Sequence, residues 1–361
     1  MKKFQWPTNG PVTLVCKRKW AETSNSVSFT LAPESFEDQG VVFDFIPGQF
    51  ITLGIDIAGK MEYRAYSLSS MPNQTELQLT IKRVAGGKVS NYIVDNLKEG
   101  QAVSVLKPVG QFHLDHHSKD QAHGERIVLL SAGCGITPVM SMAKTLLANK
   151  DDNTNIHFIH AATEIDQIIY HQELLAMAEQ HERFHLGIML EDAKGSDYSE
   201  GRLTQAALKQ YCSDIAECTA FLCGPVGFMG AMQESLQALG MNMDHFYQES
   251  FTPSESIQPD VDLNDGDKKV EALANATIFV PTFGAQAEAK IGSALIDALE
   301  AAKVPVIAAC RSGICGSCKC KVTKGKFTRT SIETLTSDEL DQGFVLACSC
   351  LVESDLEVAL N

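Results

Sequence analysis

Four cysteines near the carboxyl end, Cys310, Cys315, Cys318 and Cys348, constrain this chain more than any other feature. They follow the spacing C-x4-C-x2-C, then 29 residues, then the fourth cysteine. Three thiolates from one tight loop and a fourth returning from a distant strand form the pattern that holds a plant-type [2Fe–2S] cluster. Structural zinc usually takes two C-x2-C-like pairs. The spacing therefore favours iron and sulfide over zinc, and over a set of buried thiols. Gly313 and Gly316 inside the loop let backbone N–H groups turn towards cluster sulfur. Cys320 and Cys350 lie beside the ligands but exceed the four required, and Cys16, Cys134, Cys212 and Cys218 read as structural.

The length of 361 residues leaves room for two or three domains. A net charge of −15 disfavours nucleic acid, whose phosphates require a basic face. The start, Met1 to Pro7, has two lysines but no apolar run behind them, so no signal peptide is expected. The uncharged stretch from Ile127 to Ala143 is broken by Gly133, Gly135 and Pro138, which argues against a membrane span. Eleven cysteines without an export signal imply a reducing compartment, the cytoplasm. Ten histidines, His113, His116 and His117 among them, show no metal-ligand spacing.

Residues 8–117 alternate apolar and polar positions in short runs separated by Gly and Pro turns, which predicts an antiparallel β-barrel. A helix is expected at Ser90–Leu97. Over 118–252 the rhythm changes to continuous apolar runs such as Ile127–Leu130 and Thr219–Leu222, separated by helical patterns. That alternation predicts a Rossmann-like α/β domain on a parallel sheet. Residues 253–272 are acidic and contain prolines and glycine, as an exposed linker would. Residues 273–361 form the cluster domain, where Arg311, Lys319 and Lys321 hint at electrostatic docking of a partner.

Within the barrel, Arg64-Ala65-Tyr66-Ser67-Leu68-Ser69 precedes Gly86-Gly87-Lys88-Val89-Ser90, and Lys82 lies between them. Tyr66 offers a flavin an aromatic face, Ser67 a hydrogen bond and Arg64 bidentate phosphate recognition. Gly87, Lys88, Val89 and Ser90 open a helix whose N–H groups suit an anion. Leu68 and Lys82 complete the candidate flavin set. A strand carrying an exposed Arg is the plain alternative. In the second domain, Gly133-Cys134-Gly135-Ile136-Thr137-Pro138 joins a strand to a helix, with Thr137 as the expected N-cap and Pro138 as the first helical residue. Cys223-Gly224-Pro225 ends another buried strand, so both turns should lie at the carboxyl edge of the sheet, where such folds bind ligands. No Lys or Arg occurs between Asp151 and Glu182, while Glu164 and Asp166 do. Carboxylates there accept from a ribose 2′-OH and repel a 2′-phosphate, which predicts NADH.

Together these motifs resemble the ferredoxin–NADP reductase superfamily, specifically reductases with a plant-type ferredoxin domain at the carboxyl end. The resemblance implies a flavin barrel, a nucleotide-binding α/β domain and a β-grasp [2Fe–2S] domain. It implies FAD (FMN the alternative) on Arg64, Tyr66 and Ser67, with Ser67 beside the reactive flavin nitrogen. It places NADH on Gly133, Gly135, Thr137, Cys223, Gly224 and Pro225, with Cys223 near the nicotinamide. It makes Glu249 and Phe251 the matching residues beside the flavin. The stretches Ala132–Met142, Ser250–Pro253 and Val345–Cys350 are most similar to NADH oxidoreductases that serve the hybrid-cluster protein. Reductases of Rieske-type oxygenases share the architecture. The implied activity is electron transfer from NADH through flavin and cluster to the hybrid-cluster protein, with a Rieske-type oxygenase as the alternative acceptor. A non-catalytic iron–sulfur carrier or sensor is the alternative from another class. Neither nucleic acid nor membrane is expected as a partner.

Overall fold

The computed structural model of the chain describes residues 2–7, 10–34, 40–116, 126–150, 152–251, 275–308, 311, 313, 315–332 and 334–360. The expected linker over 253–272, Cys310, His117 and the expected boundary at 117–118 lie outside the described residues. The chain divides into two compact units, the second built mainly from residues after 252.

The first unit begins with β1 (Val12–Thr23), β2 (Ser26–Ala32), β3 (Phe50–Ile57), β4 (Lys60–Ser67), β5 (Leu77–Lys82) and β6 (Ala102–Val109). Their spatial order is β4-β3-β6-β1-β2-β5. β1 pairs antiparallel with β6 through Val12–Val15 and with β2 through Val15–Thr23. Register shifts at Cys16/Arg18 and Ala21/Thr23 bend it between the two neighbours. The outermost strands then meet: Leu68, just past β4, bridges Leu79 of β5, and the Ser69 N–H donates to Gln78 O at 2.9 Å. That contact closes the sheet into a barrel and covers its edges. Leu14, Phe29, Ile51 and Leu77 fill the interior with no exposed surface.

Helix α1 (Lys88–Asn96) lays Val89, Ile93 and Leu97 against this core, at the four-residue spacing of one helical face. It begins two residues before the expected Ser90, because Gly86 (φ +71°) turns the chain and Gly87 stands extended before the first helical residue. Lys19 of β1 finishes the helix from outside. Its Nζ donates to the carbonyls of Ile93, Val94 and Leu97 at 2.8, 2.9 and 2.9 Å. A cation at a helix carboxyl end satisfies orphan carbonyls and complements the dipole.

A parallel sheet follows: β7 (Arg126–Ala132), β8 (Asn155–Ala162), β9 (Phe184–Leu190), β10 (Ser199–Glu200), β11 (Thr219–Cys223) and β12 (Phe246–Glu249), in the order β10-β9-β8-β7-β11-β12. Helices α2 (Ile136–Ala148), α3 (His171–Gln180), α4 (Gln205–Tyr211) and α5 (Val226–Ala238) connect the strands. Ile127 and Leu129 pack with α2 and α3, whereas Val128 and Leu130 pack with α4 and α5. Both faces are buried, which is why the strands read as unbroken apolar runs. The chain leaves central β7 for β8 and β9, then crosses back to β11. The carboxyl ends of β7 and β11 therefore flank the point where strand order reverses.

The second unit carries β13 (Asn275–Val280), β14 (Ala285–Lys290), α6 (Leu295–Ala301), β15 (Lys319–Lys324), β16 (Phe327–Arg329), α7 (Ser337–Asp341), β17 (Phe344–Leu346), β18 (Cys350–Val352) and β19 (Leu356–Leu360). Five strands form a mixed sheet in the order β14-β13-β19-β15-β17, and β16 pairs with β18. An opening hairpin, a helix packed over the sheet and a parallel β13–β19 pair make the expected β-grasp arrangement. No helix of the described residues is long and apolar enough to cross a membrane.

Replacing the Lys19 ammonium tests how far this cap fixes the flavin helix. Lys19→Met should destabilise the first unit by about 2 kcal/mol in denaturant unfolding followed by circular dichroism. An unchanged midpoint would show that the three carbonyls do not need it.

Candidate functional site

The expected flavin residues lie along β4, on β5 and at the start of α1. Ser67 is 5% exposed, and its Oγ has no hydrogen-bond partner among the described residues. A buried hydroxyl left unpaired costs about 1–3 kcal/mol, so this oxygen suits a ligand atom. Tyr66 is half-buried against the barrel core. Leu68 is fully buried and makes the closing bridge to Leu79, so it holds the barrel together at the motif's end. Arg64 is exposed and donates to Tyr63 O at 2.6 Å. Lys88 pairs with Glu62 at 2.9 Å, and this hydrogen bond holds the Glu62 carboxyl below its usual range. Val89 and Ser90 are buried. A Cβ on Gly87 would stand 2.5 Å from Ser90 Oγ and 3.0 Å from Val84 Cβ, so a side chain here would have to displace the Ser90 hydroxyl and press on Val84. No acid occupies the first turn of α1, which leaves its N-terminus suited to a phosphate.

The nucleotide turn is equally tight. Gly133 is left-handed (φ +54°), and a Cβ on Gly135 would lie 2.2 Å from Cys223 O and 2.7 Å from Gly224 N. The two predicted turns are thus one packed structure at the strand-order reversal. A Cβ on Gly224 would meet Phe228 at 2.8 Å, and Pro225 stands just before α5. Thr137 departs from expectation. Residues Gly133–Gly135 already wind a 3-10 turn that runs into α2 at Ile136, so Thr137 lies inside the first turn. Its hydroxyl donates to Cys134 O at 3.1 Å instead of capping, and Pro138 sits third, among positions whose N–H groups lack partners anyway.

Cys223 is fully buried and lies in register with Ser131 on one side and Glu249 on the other. Burial, then the Glu249 and Cys134 charges, push its thiol well above the ordinary range, so it is a neutral S–H. Glu249 is half-buried at the end of β12, whereas Phe251 is 47% exposed. Glu164 and Asp166 are exposed just past the carboxyl end of β8. His113 and His116 stack at 4.4 Å, and His116 stacks on Tyr247 at 4.6 Å, a packing role.

Strand β5 joins the barrel to the sheet. Lys82 Nζ lies 4.0 Å from the point a Gly133 Cβ would occupy, which sets a cation beside the glycine turn. The Cys134 thiol points at Thr80 O at 3.5 Å. Thr80 Oγ1 also hydrogen-bonds the buried Tyr170 hydroxyl. From the other side Ser141 of α2 donates to Ser70 O at 2.6 Å. Tyr170 has a left-handed backbone (φ +61°), uncommon for an aromatic residue, and no sequence pattern announces it. His160 was also silent. It is fully buried on β8, its Nδ1 is 2.9 Å from Ser131 Oγ, and its Nε2 has no partner among the described residues.

In the second unit two of the described cluster cysteines, Cys318 and Cys348, converge. Cys318 Sγ lies 3.4 Å from Cys348 Sγ, and the Cys348 N–H donates to Cys318 Sγ at 3.5 Å. Two thiolates this close suit one tetrahedral metal. Cys315 Sγ is 3.0 Å from Ser317 Oγ and 6% exposed. Gly313 (φ +75°) and Gly316 (φ +69°) take left-handed turns. Cβ atoms there would meet Ser349 Oγ at 2.1 Å and Thr334 Oγ1 at 2.8 Å. The basic residues expected to dock a partner are engaged internally. Arg311 pairs with Asp297 and Glu300, Lys319 with Glu339 at 2.5 Å, and Lys321 lies over the Phe344 ring. Cys320 and Cys350 are fully buried in the unit's core, apart from the ligand role.

Burial, then the charges of Lys82 and His171, lower His160 to about 3 from its ordinary 6.5. The unfolded chain therefore takes up this proton as pH falls below 6.5, while the folded chain stays neutral to about 3. Stability of the first unit should fall across that window by about 1.4 kcal/mol per pH unit. His160→Gln should flatten the slope between pH ~6 and ~4; an unchanged slope in denaturant titrations would contradict the assignment.

Domain-family profiles match three stretches: an oxidoreductase FAD-binding domain over residues 13–114, an oxidoreductase NAD-binding domain over 129–234, and a 2Fe-2S iron-sulfur cluster binding domain over 279–353. The glycine betaine monooxygenase reductase subunit of Pseudomonas aeruginosa (strain UCBPP-PA14) is 34% identical, over 89% of this chain and 88% of that one. The NADH oxidoreductase HCR of Escherichia coli (strain K12) is 31% identical, over 88% and 91%. The structure of phthalate dioxygenase reductase, 21% identical, covers 97% of this chain and 98% of its own with a TM-score of 0.61, a likeness of fold. The residues fit all three cofactors: an orphaned hydroxyl and a helix terminus for FAD, glycine turns at the strand-order reversal for NAD, and converging thiols for the cluster. The chain belongs to the ferredoxin reductase-like superfamily, as an oxidoreductase that joins FAD-binding, NAD-binding and [2Fe–2S] domains in one polypeptide.

Proposed function

We propose that this chain is the NADH-oxidising reductase of a two-protein system, and that it hands single electrons to the oxygenase component of a monooxygenase. One observation carries the reading of its chemistry. The flavin motif and the nucleotide turn abut the same strand at consecutive residues, Leu68 on Leu79 and Cys134 on Thr80. Reacting groups of two ligands bound there are held together without a further conformational step. When bound, FAD would supply the conversion between the two-electron chemistry of NADH and a cluster that carries one electron at a time.

The chain's own residues bind and orient. Ser67 Oγ would hydrogen-bond the flavin ring and Tyr66 would lie along it. Arg64, Lys88 and the α1 N-terminus would take its phosphates. Gly133, Gly135, Gly224 and Lys82 would seat the dinucleotide phosphates, with Thr137 bracing the turn through Cys134 O. Cys223, neutral and opposite Glu249, would offer an uncharged S–H beside the nicotinamide and keep water away. Glu164 and Asp166 would accept from ribose hydroxyls and repel a 2′-phosphate, which makes NADH the preferred donor. Cys310 would join Cys315, Cys318 and Cys348 as the cluster ligands. The oxygenase acceptor is supported by the glycine betaine monooxygenase reductase subunits among the relatives. The similarity to the HCR oxidoreductase supports the second reading, the hybrid-cluster protein as acceptor. The abundance of thiols supports the cytoplasm as location.

Rapid mixing with NADH tests the series. The flavin band should bleach before the cluster band; no bleaching would leave only a carrier or sensor. Ser67→Ala should slow flavin bleaching about ten- to hundredfold, the loss of one or two hydrogen-bond equivalents, without loss of bound flavin. An unchanged rate would remove Ser67 from the site. Glu164→Arg with Asp166→Arg should move kcat/KM towards NADPH by about tenfold, and an unmoved ratio would mean that the ribose lies elsewhere. Cluster reoxidation by a purified oxygenase component, compared with the hybrid-cluster protein, decides the acceptor.

A further inference from the structure

The opposite edge of the parallel sheet carries a side-chain cluster that the redox chemistry does not use. Cys212 follows α4, Cys218 immediately precedes β11, Asp214 lies between them, and His157 comes from the amino half of β8. His157, Cys212 and Asp214 each offer a ligand atom within 4.8 Å of the others. Cys212 Sγ is 3.7 Å from Cys218 Sγ and 3.5 Å from Asp214 Oδ1. The His157 Nε2 lies 4.0 Å from the same carboxylate oxygen.

We propose that His157, Cys212, Asp214 and Cys218 bind one Zn2+ as a structural site at the amino-terminal edge of the parallel sheet. A tetrahedral zinc with Zn–S bonds of about 2.3 Å and a Zn–O bond of about 2.0 Å sets S···S near ~3.8 Å and S···O near ~3.5 Å. The two sulfur distances already match, whereas the Cys218 thiol now points at Asp214 O at 3.7 Å and His157 Nε2 stands 4.0 Å from the carboxylate, so both side chains would draw inward on binding. The surrounding groups orient the donors for an ion. His157 Nδ1 lies 3.1 Å from Tyr211 O, which accepts only, so Nδ1 carries the proton and the Nε2 lone pair is left for a metal. Arg126 holds Asp214 through Oδ2 at 3.0 Å, leaving Oδ1 for the cluster. A histidine anchored through its second nitrogen and a carboxylate anchored through its second oxygen are the usual outer support of a metal site.

The donor set of two sulfurs, one imidazole and one carboxylate suits borderline-soft zinc better than calcium or magnesium, which take oxygen. Four protein ligands close the coordination sphere, as in structural sites. The bonds would tie the loop before β11 to β8, roughly 20 Å from the nucleotide turns across the length of the strands. The sequence hides this site because His157 stands far from the Cys212–Cys218 segment and no compact ligand spacing survives.

Zinc content of the holoenzyme, flavin and iron–sulfur cluster loaded, tests the site after incubation with zinc chloride and dialysis. One zinc per chain should remain, and zinc K-edge absorption should report two sulfurs at about 2.3 Å and two N/O ligands at about 2.0–2.1 Å. Cys212→Ser with Cys218→Ser should abolish that zinc while flavin bleaching by NADH persists. His157→Gln, a milder change, should weaken zinc binding at least ~10-fold and decides the matter if the double variant fails to fold. No retained zinc, zinc that survives in the variants, or a Cys212–Cys218 disulfide in the mass spectrum of the holoenzyme would overturn the proposal.

Discussion

Strand β5 is the constraint on which the first unit turns. Its Gln78 and Leu79 close the barrel onto Ser69 and Leu68. One residue on, Thr80 receives the Cys134 thiol and the Tyr170 hydroxyl, and Lys82 reaches the Gly133 turn. A single extended segment of six residues thus joins the barrel's closing contact to the glycine turn at Gly133. Hydride chemistry requires the reacting atoms of two ligands within about 3–3.5 Å, and a strand shared by two domains supplies such proximity more firmly than a flexible hinge. The left-handed backbone at Tyr170, the residue just before α3, accompanies the buried contact of its hydroxyl with Thr80.

The glycines make the same point at atomic scale. Gly135 has an ordinary helical backbone, so its necessity lies in space: the Cys223 carbonyl occupies the volume a methyl would take. Gly313 and Gly316 combine both demands, left-handed backbone and neighbours within contact distance. The glycine turns at Gly135, Gly313 and Gly316 are thus packed by partners from elsewhere in the chain, whereas the Gly87 turn is packed by its neighbours Val84 and Ser90.

Much of this was legible in the sequence, for identifiable reasons. Both-face burial made Ile127–Leu130 a continuous apolar run, and Ile93, Val94 and Leu97 on one face announced the helix at Ser90–Leu97. The cysteine spacing announced the cluster loop. What stayed hidden depends on contacts distant in sequence. The exposure of β4 does not alternate, because it both borders a site and closes a barrel. Helix α4 spans seven residues, too few for a clear period. Thr137 looked like a cap because a 3-10 turn ahead of a helix cannot be told from a loop by composition. Lys19 and His160 act through partners some 75 and 29 positions away, and neither belongs to any local motif.

The central claim is that the first unit holds donor and flavin so that hydride passes directly between them. The most direct measurement is single-turnover bleaching of the flavin band with NADH deuterated at the transferring carbon, with the label traced afterwards. Direct transfer predicts slower bleaching with deuterium and no early exchange of label with solvent. Equal rates for both isotopes, with the cluster band moving before the flavin band, would contradict it.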